Sequence, residues 1–306
     1  MKKCLCIGFG RMGLSHLTII SGLVGREGLS VTISDPSITS RLVGKILFPD
    51  GDVVSYKKLF SRGFDFDDYQ YILICTPPSI RKEVLSLLGS YKGYIFIEKP
   101  VLHRLPHNSM SGYVLQHAPL NSRVRSFLAT KEVLEVRAAL VTNVDFKSVK
   151  KGWRQGKYGG VLHEFGGHVL SVVGACLPER SVFNLAPQEL SLTVHENDRN
   201  LVCFDFVENN VKFSIRLESA SSLVRKASYS FNFATNEGEY YYDLYNFRSV
   251  ENDSAGFGIA SSGVSCDFYV RGFEFTNQMN AFLSRNGDVL DQDQIHSLEN
   301  ILLEVE

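Results

Sequence analysis

The sequence Cys4-Leu5-Cys6-Ile7-Gly8-Phe9-Gly10-Arg11-Met12-Gly13 joins a short apolar run to three regularly spaced glycines. In a turn of this type after a strand, the second glycine lets a pyrophosphate lie against the backbone, and the third lets the next helix pack against the strand. The phosphates then meet free N–H groups at the helix start. Because residues 12–24 have helical spacing, a dinucleotide site is predicted, with a purely structural glycine turn as the alternative. Its expected contacts are Gly8, Phe9, Gly10, Arg11, Met12 and Gly13.

Strand-like runs alternate with helical spacing through the first part of the chain. Strands are expected at 29–35, 53–56, 71–75 and 93–97, and helices at 12–24 and 80–88. The continuous apolar run at 71–75 is typical of a central parallel strand that is buried on both faces. The alternation predicts a doubly wound parallel sheet, a Rossmann dinucleotide-binding domain, over residues 1–119.

The ends of these strands supply further cofactor-binding candidates. Asp35 lies about 20 residues past Gly13, where an acidic side chain accepts hydrogen bonds from an adenosine ribose. Asp35 can instead cap the next helix, and both roles are compatible. Ligands of such sheets bind beyond the carboxyl ends of the strands. The remaining candidates at strand ends are Thr76, Pro77, Glu98 and Lys99.

The carboxylate of Asp35 also bears on the choice of cofactor. It would repel a 2′-phosphate, so NAD is expected as the cofactor, with NADP as the alternative. Arg41 is near in sequence and can soften this preference.

From about residue 120 the pattern changes to runs rich in β-branched and aromatic residues. These runs predict an α+β domain over 120–306 with a mostly antiparallel, open-faced sheet. Strands are expected at 134–144, 190–194, 201–207, 211–217, 227–233 and 240–245, and helices at 161–176, 273–283 and 294–305.

Three motifs, in this order, resemble those of the glucose-fructose oxidoreductase / inositol dehydrogenase (Gfo/Idh/MocA) family of nicotinamide-dependent sugar oxidoreductases. They are the glycine turn at 8–13, Glu98-Lys99-Pro100, and Trp153-Arg154 followed by the glycine-rich stretch 159–168 that ends in His168. The resemblance implies hydride transfer between NAD(P) and a hydroxyl or keto carbon of a sugar, sugar nucleotide or cyclitol. It also implies a homodimer or homotetramer. The substrate contacts that it implies are Lys99, Trp153, Arg154, Glu164 and His168.

Three positions depart from the pattern of that family. Glu164 stands where the family usually has Asp. Arg81 stands where a His often follows the Thr-Pro element, and His117 lies near the position where many members carry an Arg before a Pro. Two alternatives therefore stay open. One is a reductase of another small carbonyl or imine substrate, and the other is a non-catalytic dinucleotide-binding protein.

Lys99, His168 and Glu164 are the catalytic candidates. A lysine at the end of a strand beside the nicotinamide can polarise a hydroxyl oxygen and relay its proton, whereas a salt bridge to Glu98 or another carboxylate is the structural alternative. Glu164 and His168 are four residues apart and would share one helical face, where the carboxylate could orient the imidazole. The alternative is a buried histidine that its neighbour satisfies.

The residues around this pair are also informative. Gly166 and Gly167 are expected to let a ligand approach closely, and His163 is expected to face elsewhere. The basic loop at 150–157 could hold a phosphate or diphosphate of a sugar nucleotide, or it could simply be solvated.

Charge and cysteine usage exclude several classes of protein. With 32 Lys and Arg against 33 Asp and Glu, the net charge of −1 makes nucleic acid an unexpected partner. No apolar stretch is long enough to cross a bilayer, so no membrane partner is expected. The six scattered cysteines lack a zinc-binding spacing, which predicts reduced thiols, no metal and a cytoplasmic protein.

Overall fold

A computed structural model describes residues 1–61, 63–101, 106–149, 159–177, 183, 191–220, 227–244 and 266–305. Trp153, Arg154 and the basic loop at 150–157 therefore lie outside the described residues. The chain divides into two compact units. The first contains Met1–Gly112 and Phe275–Asp288, and the second contains Tyr113–Glu274 and Val289–Glu306.

The first unit is built on a parallel six-stranded sheet, as predicted. Its strands lie in the order β3-β2-β1-β4-β5-β6, and every neighbouring pair is parallel. The strand order reverses between β1 and β4, at the point where such sheets bind ligands. The strands are β1 (Lys2–Ile7), β2 (Leu29–Asp35), β3 (Asp52–Ser55), β4 (Tyr71–Ile74), β5 (Tyr94–Ile97) and β6 (Ser109–Ser111). The helices between them are α1 (Arg11–Val24), α2 (Ile38–Leu47), α3 (Tyr56–Leu59) and α4 (Pro78–Leu87).

The core of this unit also takes residues from far along the chain. Met279 and Phe282, in helix α7 (Cys266–Ser284), pack with Leu73 and Phe96 of the central strands. The ring of Phe282 lies 5.7 Å from the ring of Phe96. Residues 275–288 thus belong to the first unit, whereas the domain predicted over 1–119 does not include them.

The second unit contains a six-stranded sheet in the order β12-β11-β7-β10-β9-β8. Four of its pairs are antiparallel and the β7–β10 pair is parallel, so the predicted mostly antiparallel sheet is confirmed. Asn209 and Asn210 adopt φ values of 50° and 64° between β9 and β10, as a tight hairpin requires. The strands are β7 (Val133–Val141), β8 (Ser191–Asn197), β9 (Leu201–Glu208), β10 (Val211–Glu218), β11 (Ser228–Thr235) and β12 (Gly238–Asp243).

Helices α5 (Pro119–Leu128), α6 (Gly167–Cys176) and α8 (Gln292–Val305) complete the second unit. The sequence pattern does not predict α5, because only Asn121, Val124 and Leu128 of its ten residues are buried. It does predict α6, in which all ten residues are buried. None of the helices in the described ranges combines the length and the apolar character needed to cross a bilayer.

The cysteines whose side chains are described agree with the prediction of reduced thiols. Cys4, Cys6, Cys75, Cys176 and Cys203 are free. Burial raises the pKa of both Cys4 and Cys176, which makes these two thiols poor nucleophiles. Within the described ranges, His, Cys, Asp and Glu side chains form no group of three or more that could hold a metal ion.

Candidate active site

The glycine turn has the geometry that its spacing predicts. Gly8 has a φ of 91°, and a Cβ there would lie 2.8 Å from the carbonyl carbon of Cys75. Its N–H donates to the carbonyl of Ser34 at 2.8 Å, which ties the turn to β2. A side chain at this position would be strained by the backbone conformation and would also clash with the neighbouring strand end.

The other two glycines of the turn serve different purposes. A Cβ on Gly13 would lie 2.2 Å from the backbone oxygen of Gly8, so this glycine lets α1 pack against β1. A Cβ on Gly10 would meet nothing within 4 Å. Gly10 immediately precedes α1, whose first N–H groups have no partner within the helix. The open backbone at Gly10 and the helix start together fit a pyrophosphate.

Asp35 connects the end of β2 to this turn. Its Oδ2 accepts a hydrogen bond from the N–H of Phe9 at 2.7 Å, and its Oδ1 accepts one from the N–H of Ser37 at 2.7 Å. The cap of α2 is Ser37, whose hydroxyl accepts from the N–H of Ser40. Each carboxylate oxygen of Asp35 can accept a second hydrogen bond, so the side chain can still receive ribose hydroxyls.

Arg41, the residue expected to soften cofactor preference, is engaged with the backbone. Its Nη1 donates to the carbonyls of Asp35 and Pro36, at 2.6 and 3.0 Å. The guanidinium therefore lies beside the end of β2 and supports the loop that carries Asp35.

The ends of β4 and β5 bring the next candidates together in one unit. Thr76 follows β4 and is buried, and its Oγ1 has no hydrogen-bond partner within the described residues. Lys99 follows β5, the strand next to β4, and is partly buried. An unsatisfied buried hydroxyl beside the glycine turn fits a bound polar ligand such as the cofactor.

Arg81, which the sequence marks only as a departure from the family pattern, links these two strand ends. Its Nε donates to the carbonyl of Thr76 at 2.9 Å, while Nη2 donates to the carbonyl of Lys99 at 3.1 Å. Nη1 donates to the carbonyl of Pro100 at 2.5 Å. Arg81 is buried, and its guanidinium holds the backbone at the ends of both strands.

Sequence reasoning missed a buried partner of Glu98. His16 of α1 is fully buried, and its Nε2 lies 2.6 Å from Oε1 of Glu98. Burial alone would raise the pKa of Glu98, but the hydrogen bond with His16 and the nearby positive charges of His16, Lys99 and Arg81 outweigh it and lower the pKa. A signal was present, because His16 is a polar residue on the same helix face as the buried Gly13, Leu17 and Ile20.

In the second unit, the predicted helix at 161–176 begins with a turn of π-helix. This turn spans Leu162–Gly166, and α6 follows from Gly167. Glu164 lies in the π turn and His168 in the first turn of α6, so their spacing is not that of one regular α-helical face. Single π turns within α-helices are often found at functional sites. Both side chains are largely buried.

The expectation that Gly166 and Gly167 let a ligand approach is wrong. A Cβ on Gly167 would lie 2.2 Å from Cε1 of Tyr113, and a Cβ on Gly166 would lie 2.8 Å from Cδ2 of Leu302. Side chains of the unit itself already occupy both spaces. Small residues are needed at both positions because the helix packs closely against its neighbours there.

Tyr113 also fixes the surroundings of His168. The two rings meet edge to face, with centroids 6.0 Å apart and planes at 86°. The Tyr113 hydroxyl donates to the buried carboxylate of Glu299. His163 and His117 are buried in the same unit.

Comparison with known proteins identifies the fold. No family sequence model and no curated protein sequence matches the chain. Among solved structures, GenD2 from gentamicin A biosynthesis, in complex with NAD, matches at a TM-score of 0.73 and 14% identity, over 99% of this chain and 92% of that one. Levoglucosan dehydrogenase, in complex with NADH and levoglucosan, matches at 0.72 and 14%, over 99% and 96%. A myo-inositol dehydrogenase from Lactobacillus casei, in complex with NAD(H) and myo-inositol, matches at 0.68 and 13%, over 100% and 93%.

These matches span nearly the whole chain and nearly the whole of each neighbour. The chain therefore shares the fold of these proteins, with a parallel dinucleotide-type sheet followed by a mostly antiparallel one. The fold agrees with the one that the sequence motifs imply.

Proposed function

We propose that this protein is an NAD-dependent oxidoreductase that transfers a hydride between the nicotinamide and a hydroxyl or keto carbon of a sugar, sugar nucleotide or cyclitol. The observation that carries the proposal is the glycine turn, where Gly10 is open in front of α1 and Asp35 binds the turn through Phe9. The three similar structures hold NAD, NADH or NAD(H), and two of them, both dehydrogenases, also hold levoglucosan or myo-inositol.

In this proposal the residues of the first unit hold the cofactor. The turn at 8–13 binds the pyrophosphate, Asp35 accepts the adenosine ribose hydroxyls, and the loops at Thr76-Pro77 and Glu98-Lys99 flank the nicotinamide. When bound, the nicotinamide supplies the hydride acceptor or donor. Asp35 favours NAD because its carboxylate would repel a 2′-phosphate.

The proton is handled by side chains of this protein. Lys99 donates a hydrogen bond to the reacting oxygen and polarises it, and His168 accepts or returns the proton. Glu164 positions the substrate or the imidazole. Trp153 and Arg154 remain proposed substrate contacts on the basis of the sequence resemblance.

A binding titration and a turnover screen test this function. Purified protein is titrated with NADH, and a panel of sugars, sugar nucleotides and cyclitols is then screened through the absorbance of the reduced cofactor. Turnover on the panel supports the proposal. Turnover only on simple ketones or imines supports the alternative reductase, and NADH binding without any turnover supports a non-catalytic dinucleotide-binding protein. Failure to bind either NADH or NADPH would reject all three.

We also infer a homodimer or homotetramer that associates through the open face of the second sheet. The support is the alternation along β9, where Phe204 and Phe206 are buried on one face and Val207, on the opposite face, is 46% exposed. Light scattering after size exclusion tests this inference. Val207→Lys should dissociate the oligomer if the face is buried in it, and a monomeric wild type would contradict it.

A further inference from the structure

Buried side chains hydrogen-bond to the backbone of Lys99 at both its N–H and its carbonyl. We propose that the buried pair His16–Glu98 and the guanidinium of Arg81 are positioning residues that set the direction of the Lys99 side chain. This inference rests on the proposed function, in which Lys99 acts at the reacting oxygen.

The hydrogen bond to the N–H of Lys99 comes from Glu98. One oxygen of its carboxylate, Oε1, is held by Nε2 of His16 at 2.6 Å, and the other, Oε2, accepts from the backbone N–H of Lys99 at 3.1 Å. The His16 ring is fixed in turn, with its centroid 4.6 Å from that of Phe96 in an edge-to-face contact. The peptide nitrogen of Lys99 is thus tied to α1 through two buried side chains.

The hydrogen bond between His16 and Glu98 has a definite direction. The lowered pKa of Glu98 favours the carboxylate, which can only accept hydrogen bonds. Nε2 of His16 therefore carries the proton and donates to Oε1 of Glu98.

The hydrogen bonds to the carbonyls of the same segment come from Arg81. Arg81 donates to the carbonyls of Lys99 and Pro100, and a third hydrogen bond joins it to Thr76. A planar guanidinium can hold three carbonyls in a fixed arrangement, which an ammonium cannot reproduce. The backbone of Gly112 packs closely against the same segment, since a Cβ there would lie 2.8 Å from Cα of Glu98.

Holding both the N–H and the carbonyl of one residue restricts its φ and ψ, and the starting direction of the side chain follows from them. A misplacement of about 1 Å can cost about 10²-fold in rate. We therefore expect the network to act on kcat and on the reactivity of the Lys99 amine, and to act less on KM.

The experiment compares His16→Phe and Arg81→Met with two matched controls. Ile20→Val changes a buried side chain on the same helix as His16, and Lys82→Met removes an exposed positive charge next to Arg81. His16→Gln keeps an N–H donor for Glu98, so it should restore much of what His16→Phe loses. Arg81→Lys keeps the positive charge but lacks the planar guanidinium that donates to three carbonyls, so it should not restore the activity that Arg81→Met loses.

Two readouts separate positioning from stability. Limited acetylation followed by mass spectrometry gives the labelling of Lys99 relative to the exposed Lys92 in the same sample, and needs neither cofactor nor substrate. His16→Phe and Arg81→Met should raise this ratio at temperatures where each variant is folded, and the controls should not. On a substrate found in the screen, both variants should lower kcat by about 10- to 100-fold with KM little changed.

The possible results are distinct. If the labelling ratio of Lys99 stays at the wild-type value in both variants while Tm falls, the residues only stabilise the fold and the inference is overturned. If the wild type neither binds NADH nor turns over any substrate, the proposed function fails, and the labelling ratio still reports whether the network positions Lys99.

Discussion

The ring of Tyr113 occupies the space in which a side chain at residue 167 would lie, since a Cβ on Gly167 would fall 2.2 Å from Cε1 of Tyr113. The backbone of Gly167 has an ordinary helical conformation, with φ of −62°. The requirement for glycine there is therefore steric and not conformational. The same ring contacts His168 and is anchored by Glu299, so the packing at Gly167 sets the environment of a candidate catalytic residue.

Gly167→Ala should lower the free energy of unfolding by about 1–3 kcal/mol, the usual cost of overpacking a buried site. Gly22→Ala in α1 is the matched control, because a Cβ there meets nothing within 4 Å. That substitution should raise stability by roughly 0.4–1 kcal/mol. Denaturant unfolding measures both, and equal effects of the two substitutions would contradict the steric role of Tyr113.

The glycine turn allows folding to be separated from cofactor binding. Gly10→Ala should leave Tm close to that of the wild type, because its Cβ meets no protein atom, yet it should weaken NADH binding at least about tenfold. Gly13→Ala should instead lower Tm, because its Cβ would meet the backbone of Gly8. Thermal unfolding and NADH titration on both variants check this, and unchanged NADH affinity in Gly10→Ala would remove the pyrophosphate from this turn.

Cofactor preference should follow the charge of Asp35. The wild type should bind NADH more tightly than NADPH, and Asp35→Asn should narrow the ratio of the two Kd values by about tenfold, since the repulsion of a 2′-phosphate is removed. Asp52→Asn, which removes an exposed carboxylate on the neighbouring strand, should leave the ratio unchanged. Tighter binding of NADPH by the wild type would overturn the assignment of Asp35.

Stability at acid pH should depend on Glu98. Its pKa is lower in the folded protein than its usual value of 4.5, so the folded state favours the carboxylate. The resulting stabilisation is present above the unfolded pKa and is lost as pH falls from there through the folded pKa. Glu98→Gln should therefore lower stability at neutral pH and flatten the loss of stability below pH 4.5. Denaturant unfolding across that range measures the slope, and a slope equal to that of the wild type would mean that Glu98 does not contribute.

The catalytic assignments predict graded losses of turnover. Lys99→Met should lower kcat/KM by about 10²-fold or more, because a general acid–base group is lost, while NADH affinity stays nearly unchanged because the turn at 8–13 and Asp35 still hold the cofactor. His168→Asn should also lower turnover and change its pH profile, and Glu164→Gln should cost less than either. Lys92→Met, an exposed charge removal, is the control. Near wild-type turnover in both Lys99→Met and His168→Asn would show that the chemistry lies elsewhere.

Several features of the fold and the site follow from local sequence alone. The periodicity of apolar residues predicts the parallel sheet. Residues that tolerate positive φ predict the turn at 8–13 and the hairpin at Asn209 and Asn210. Both signals can be read from residues that are close together in the sequence. Asp35 at the end of β2 is predicted for the same reason, because the spacing within one βαβ unit is nearly constant. Strand β6 is not predictable in this way, because Ser109–Ser111 is short and polar.

The tertiary structure decided which distant residues meet. His16 finds Glu98 across 82 positions, Phe282 enters the core of a unit that begins at Met1, and Tyr113 takes the space beside Gly167. The sequence pattern predicts room for a ligand at Gly166 and Gly167, since a missing side chain looks the same whether a ligand or a tyrosine fills its place. Only packing distinguishes the two, because close-packed interiors are matched between elements that the sequence pattern treats separately.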